Sequence, residues 1–228
     1  KLNVSVAQGL RNRKLAVDVV KGSEVEAPIA GGIDAAVAAA RGADIVLLAL
    51  GETQLMSGEA QSRTEIVIPE AQMALAEAVA ATGKPIVVLL RHGRALALHG
   101  AVKDAPAILA TWFLGVETGP AVAAILFGDA EPTGRLPVSF PVATGQQPWS
   151  YDRRATGRPA PDDDPMAPGR AHWRDAPDRA LFPFGAGLSY TRFALDAVSV
   201  PATPSFGAAV PVSVLVRNVG DRSGTACV

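Results

Sequence analysis

Short apolar runs, each stopped by glycine and separated by helical patterns, constrain this chain more than any other feature of its sequence. Asp44-Ile45-Val46-Leu47-Leu48-Ala49-Leu50 is continuous and ends at Gly51, as expected of a strand buried on both faces. Ile86-Val87-Val88-Leu89-Leu90 repeats the pattern before Gly93, and Ala107-Ile108-Leu109-Ala110-Thr111-Trp112 is a third strand candidate. Between them lie helical stretches. Ile33 to Arg41 is Ala-rich and closed by Gly42, and Pro69 to Ala81 places Leu75, Ala78 and Val79 on one face before Gly83. Gly119 to Phe127 ends at Gly128 in the same way. Strand and helix in alternation predict an α/β fold, a mostly parallel sheet with helices on both faces.

The character changes after Pro148. Residues 153–179 are rich in Pro, Asp and Arg without periodicity, which predicts a long surface loop. Order is expected to return at Leu181-Phe182-Pro183-Phe184-Gly185. Beyond Pro204, Val210, Val212, Val214 and Val216 alternate with other residues and Asn218-Val219-Gly220 supplies a turn, so an all-β hairpin is expected there. The chain opens without Met and stops inside an apolar stretch; both ends are expected to be cuts through structure. No internal repeat of 20 to 50 residues is present, and no apolar run approaches the roughly 20 residues that span a bilayer.

Charge and composition exclude more than they assign. With 228 residues there is room for a substantial core, and a net charge of −1 gives no electrostatic reason to expect nucleic acid or an anionic membrane as partner. Three His and the single Cys227 cannot build a Cys-rich zinc site or an internal disulfide. His99 and His172 sit in no ligand-like spacing, and Asp162-Asp163-Asp164 reads as a solvated loop, since consecutive side chains point apart. Gly115 and Gly119 do not make a nucleotide-binding fingerprint, and neither Ser57 nor Ser189 lies in a nucleophile elbow. Asp129, following Gly128, reads as a turn or cap residue.

The segment Gly51-Glu52-Thr53-Gln54-Leu55-Met56-Ser57-Gly58-Glu59-Ala60-Gln61-Ser62-Arg63 follows the C-terminal end of a buried strand, where open α/β sheets present ligands. It carries the carboxylates Glu52 and Glu59 and the cation Arg63. A carboxylate there can act as a general acid where its surroundings favour the protonated form. A Glu in such a loop also serves as a solvated or helix-capping residue, and spacing does not choose. His92 beside Gly93 is a candidate to hydrogen-bond a ligand or to cap backbone. Trp112, Trp149 and Trp173 are candidates to stack on sugar faces, with Trp112 the more expected in the core.

Five segments together resemble the C-terminal half of glycoside hydrolase family 3, particularly β-glucosidases of the bacterial periplasmic type. They are Ser57-Gly58-Glu59-Ala60-Gln61-Ser62-Arg63 with Ile66 to Gln72; Gly83-Lys84-Pro85-Ile86-Val87-Val88-Leu89; and Thr111 to Gly119 with Leu126-Phe127-Gly128-Asp129. Pro132-Thr133-Gly134-Arg135-Leu136-Pro137-Val138-Ser139-Phe140-Pro141 and Pro183-Phe184-Gly185-Ala186-Gly187-Leu188-Ser189-Tyr190-Thr191 complete the set.

The resemblance implies an α/β sandwich over residues 1–190, truncated on its N-terminal side, and an incomplete fibronectin type III-like domain over 191–228. It implies a retaining β-glucosidase in which Glu59 is the general acid/base and the nucleophilic Asp belongs to an N-terminal barrel outside this chain. The substrate class it implies is an oligosaccharide or aryl β-glycoside. β-Xylosidase specificity, or a non-catalytic carbohydrate-binding or scaffolding role, are the alternatives. No metal or organic cofactor is implied, and periplasmic or secreted localisation follows by resemblance only. Three places depart from the family pattern: Ala186 where Tyr is usual, Arg91-His92-Gly93-Arg94-Ala95-Leu96 in place of an Asn-Gly-Arg-Pro-Leu type turn, and Thr64-Glu65 after Arg63. Tyr151 and Thr156-Gly157-Arg158-Pro159 keep the family's flavour before the long loop diverges.

Overall fold

A computed structural model describes residues 3–154, 157–203 and 205–226, so Thr156 and Cys227 lie outside the described residues. The elements in chain order are α1 (Val6–Arg11), α2 (Gly32–Gly42), β1 (Val46–Gly51), α3 (Glu70–Ala80), β2 (Ile86–Arg91), α4 (Gly100–Lys103), β3 (Ala107–Ala110), α5 (Thr118–Leu126), β4 (Phe193–Ser199) and β5 (Ser213–Asn218). The chain divides into two compact units, Lys1–Ala123 with Leu136–Ala186, and Ala124–Arg135 with Gly187–Val228.

In the first unit β1, β2 and β3 form a parallel sheet in that order, with Val46 opposite Ile86 and Val87 opposite Ala107. β2 is central. Its Val88 and Leu90 are fully buried, and Ile68, Ala76, Val79, Leu96, Val102 and Phe140 close around them. α3 packs on β1 and against both α2 and α4. No helix among the described residues is long and apolar enough to cross a membrane.

Local chemistry explains where the elements stop. β1 ends at Gly51, whose φ of +136° and close approach to β2 admit no side chain, since a Cβ there would lie 1.7 Å from the Arg91 carbonyl oxygen. Pro69, expected in the first helical turn of α3, sits one residue earlier as its N-cap; its carbonyl accepts from Met73 N–H at 3.0 Å, and the missing proline N–H is not needed. β3 is shorter than its apolar run. Thr111 N–H still reaches the Leu90 carbonyl at 2.9 Å, but Trp112 takes φ +52° and turns the chain out of the sheet. Its ring then packs on the core, 4.2 Å from His92 and 6.4 Å from Phe140 between centroids.

Two helices were not legible in the sequence pattern. α1 is six residues capped by Ser5, whose Oγ accepts from Gln8 N–H at 3.2 Å. α4 is a single turn capped from elsewhere: Glu77 of α3 accepts from Ala101 N–H at 2.7 Å. The long loop expected over 153–179 contains no helix or strand among its described residues, only a bridge between Pro159 and Ala171. It is nevertheless tied down. Buried Gln146 accepts from Val142 N–H and donates to the carbonyls of Pro177 and Arg179, and Arg153 stacks over Trp149 and Trp173 while pairing with Asp178.

The second unit contains the antiparallel pair β4–β5, with Phe193 opposite Asn218 and Asp196 opposite Leu215. The expected hairpin is corrected here. β5 pairs with the strand before it, and the Asn218-Val219-Gly220 turn, with Gly220 N–H on Asn218 Oδ1 at 3.0 Å, leads to no further strand among the described residues. Val210 and Val212 precede β5, which begins at Ser213, and both are exposed. Glu131 organises the unit. Its carboxylate accepts from Ser189 Oγ and from Thr225 N–H, and these bonds, the Ser189 one first, hold its pKa below the usual value.

Candidate functional site

The C-terminal ends of β1, β2 and β3 converge on an open cleft of about 410 Å³. Ser57, Gly58, Gln61 and Ser62 from the loop after β1 line it, with Gly93 and Arg94 after β2 and Phe113 after β3. Gly93 is required by this closeness. A Cβ on it would fall 1.9 Å from Ser57 Oγ and 2.7 Å from the Phe113 ring. The loop after β1 returns to the sheet beside the loop after β2, where Val67 bridges Ala97 and Ala97 N–H bonds the Ile66 carbonyl at 2.8 Å. Ile66 N–H in turn is held by Thr144 Oγ1 at 3.1 Å.

The two carboxylates of the loop have opposite environments. Glu52, directly after β1, has a fully buried side chain. Its Oε1 accepts from Arg63 Nη1 at 2.7 Å and lies 3.4 Å from Arg94 Nε, while its Oε2 has no hydrogen-bond partner among the described residues. Glu59 is exposed, in a turn closed by Gln61 N–H on the Gly58 carbonyl at 3.2 Å, with the next residue Ala60 at φ +57°. The structure thus joins Glu52 to Arg63 and leaves Glu59 standing apart between the lining residues Gly58 and Gln61 in sequence.

Arg94 binds the loop from the opposite side. Its Nη2 donates to the carbonyls of Met56 and Gln61, the latter at 2.7 Å. Behind it, His92 is wholly buried between Trp112 and Phe140. Its Nδ1 donates to the Arg94 carbonyl at 2.8 Å, which leaves Nε2 unprotonated in the neutral ring. Burial pushes its pKa down, opposed by the bond to the Arg94 carbonyl and by the charge of Glu52. His92 therefore caps backbone, one of the two roles expected of it.

Other candidates fall elsewhere. Trp149 and Trp173 lie 5.4 Å apart around Arg153, and exposed Tyr151 stacks on Phe184 at 4.6 Å. Ser189 serves Glu131, His99 precedes α4 with no side-chain cap bond, and Asp162, Asp163 and Asp164 are exposed. Among the described residues no group of three or more His, Cys, Asp or Glu is placed to hold a metal ion.

Sequence reasoning missed Arg94 and Gln72. The sequence shows Arg94 only as part of the Arg91-His92-Gly93-Arg94-Ala95-Leu96 turn, with no role attached. Buried Gln72, on the first turn of α3, accepts from Gly51 N–H at 2.7 Å and donates to the carbonyls of Gly51 and Val25, each at 2.8 Å. One amide thereby fixes the end of β1 and the point where the loop departs.

Residues 1–190 match the model of the glycosyl hydrolase family 3 C-terminal domain. The chain is 46% identical over 195 residues to a periplasmic beta-glucosidase of Salmonella typhimurium, covering 84% of this chain and 25% of that protein. It is 35% identical over 229 residues to a beta-xylosidase of Formosa agariphila, covering 97% of this chain and 30% of the relative. The beta-glucosidase from Listeria innocua in complex with glucose superposes with a TM-score of 0.91 at 37% identity, over 98% of this chain and 31% of that one. The chain thus spans about a quarter to a third of these relatives.

Proposed function

Because the chain belongs to glycosyl hydrolase family 3, as a stretch of its C-terminal domain, we propose that it contributes the general acid/base, Glu59, to a retaining β-glucosidase whose nucleophilic Asp lies in an N-terminal barrel beyond this chain. One observation carries the choice of residue: of the two carboxylates on the loop after β1, Glu52 is sealed in a pair with Arg63, whereas Glu59 is exposed and has no hydrogen-bond or ion-pair partner among the described residues. Only an accessible carboxyl can approach a glycosidic oxygen. In the first step the barrel's Asp attacks the anomeric carbon while Glu59 protonates the departing oxygen. Glu59 then removes a proton from the water that hydrolyses the glycosyl-enzyme. Retention requires the two carboxyls about 5 Å apart, so the barrel must dock against this loop.

Terminal non-reducing β-D-glucosyl residues are the proposed substrate, supported by the 46% identity to the Salmonella beta-glucosidase. Similarity to the Formosa beta-xylosidase across 97% of the chain favours a second reading, β-xylosidase specificity. Residues 191–228 are assigned to the opening of a fibronectin type III-like domain, a reading supported by the antiparallel β4–β5 pair.

The test is Glu59→Ala in the full-length protein, assayed on aryl β-glucosides with and without azide. A loss of about 10² to 10⁴-fold on poor leaving groups, which azide leaves unrepaired, is the expected result. On good leaving groups, where breakdown of the glycosyl-enzyme limits, azide is expected to restore turnover as a β-glycosyl azide. Near-normal turnover would return Glu59 to a solvated loop residue. Parallel assays on aryl β-xylosides decide between the two sugars. The 228-residue chain by itself is expected to hydrolyse neither, since it holds one of the two carboxylates.

A further inference from the structure

The buried carboxylate that the proposed chemistry does not use has a geometry of its own. Glu52 sits at the root of the loop, its N–H bonded to the Arg91 carbonyl of β2 at 2.8 Å, so the sheet fixes its backbone. Its Oε1 receives Arg63 at 2.7 Å and stands 3.4 Å from Arg94. Those two guanidinium groups hold the loop by its carbonyls: Arg94 takes Met56 and Gln61, and Arg63 takes Val67 at 3.3 Å. Met56 and Gln61 lie on either side of Glu59 in the chain. A loop with no helix or strand is therefore gripped through backbone oxygens, and both grips converge on one buried anion.

The geometry points to Glu52 as a positioning residue for Glu59, acting through Arg63 and Arg94 to set where the Glu59 carboxyl stands relative to the glycosidic oxygen. This rests on the reading of Glu59 as the acid/base. Two arginines without the shared anion would repel each other and abandon the buried position, because an unpaired charge is costly to bury. The carbonyls of Met56 and Gln61 would then lose their fixed donor, and the turn between them would wander. Proton delivery depends on sub-ångström placement, and misplacement of about 1 Å costs on the order of 10²-fold in rate.

Global damage and a misplaced acid leave different signatures. Fewer folded molecules lower kcat/KM by one factor for every substrate. A misplaced acid lowers it most where the leaving group needs a proton. The experiment is Glu52→Gln in the full-length protein, with kcat/KM measured across aryl β-glycosides of graded leaving-group acidity. The expected result is a loss of about tenfold to a hundredfold on the least acidic leaving groups and little on the most acidic. A uniform loss, or none, would overturn the assignment. Arg94→Lys keeps the charge but lacks the Nη2 nitrogen that donates to both the Met56 and Gln61 carbonyls; it is expected to show the same skew, and it decides the matter if Glu52→Gln does not fold. Glu59→Ala in the same series separates the two ideas. A steep series for Glu59→Ala with a uniform one for both loop variants sinks the positioning role alone, and a flat series for Glu59→Ala sinks the acid/base reading beneath it.

Discussion

The parallel sheet of the first unit and the antiparallel pair of the second differ in what their side chains meet. β2 has a strand on each side, and Val88 and Leu90 are completely buried. Among the described residues β4 and β5 have only each other, and Leu195 and Leu215 remain 59% and 52% exposed. In the first unit the fold rests on apolar packing, and polar groups are held only where a loop must be placed. In the second it rests on named hydrogen bonds, from Ser189 Oγ and Thr225 N–H to the Glu131 carboxylate, and from Thr191 Oγ1 to Asn218 Oδ1 at 2.7 Å. A pattern of apolar letters therefore predicts the first unit well and the second poorly.

The sharpest break of that contrast is Glu52→Ala, which strands two partly buried guanidinium groups inside the first unit. It is expected to destabilise that unit by about 3–5 kcal/mol, read as loss of amide-exchange protection in β1 and β2 with β4 and β5 unchanged. Leu90→Ala follows, expected to cost about 2–5 kcal/mol by the same measurement, because its site is enclosed on all sides. Equal protection in mutant and parent would mean the core relaxes around the gap.

Acid should dissect the two units in order. His92 has a lowered folded pKa, so the unfolded chain takes up its proton first and stability of the first unit falls as pH drops below about 6.5. Glu131 is also lowered, so its contribution is complete above about 4.5 and is lost only as pH falls through its folded value. Exchange protection measured from pH 7 to 3 should therefore loosen β2 before β4–β5, and His92→Phe should abolish the first step. The smallest effect belongs to Leu215→Ala, expected to change stability by less than about 0.5 kcal/mol while its side chain stays solvent-exposed. A larger loss, seen as faster exchange in β4, would show that the second unit has a core after all.

Much of this was visible in the letters. The apolar runs ended by Gly51 and Gly93 became β1 and β2, and the helices around Ile33 and Leu75 fell within a residue or two of their expected bounds. Those signals are local, since period and glycine act within a few residues. Pairings across the chain were not legible. Nothing in the text says that Glu52 turns inward to Arg63, 11 residues on, while Glu59 stays in solvent, because an irregular loop has no period to report which side chains face in. The stop of β3 was missed for a related reason. Trp112 belongs to the apolar run by composition, but its ring finds His92 and Phe140 only if the backbone leaves the sheet. The hairpin was misjudged because alternating valines mark a strand and are silent about its partner.

Gln72 leaves a mark on which sequences this fold can accept. Its position demands one acceptor and two donors at a fixed reach, for Gly51 N–H and for the carbonyls of Gly51 and Val25. Glutamate supplies no donor, lysine no acceptor, and asparagine is a methylene short. A helix residue with no contact to the cleft is thus confined to a single letter of the alphabet, and drift at that letter would be felt first as a change in the direction in which the chain leaves Gly51.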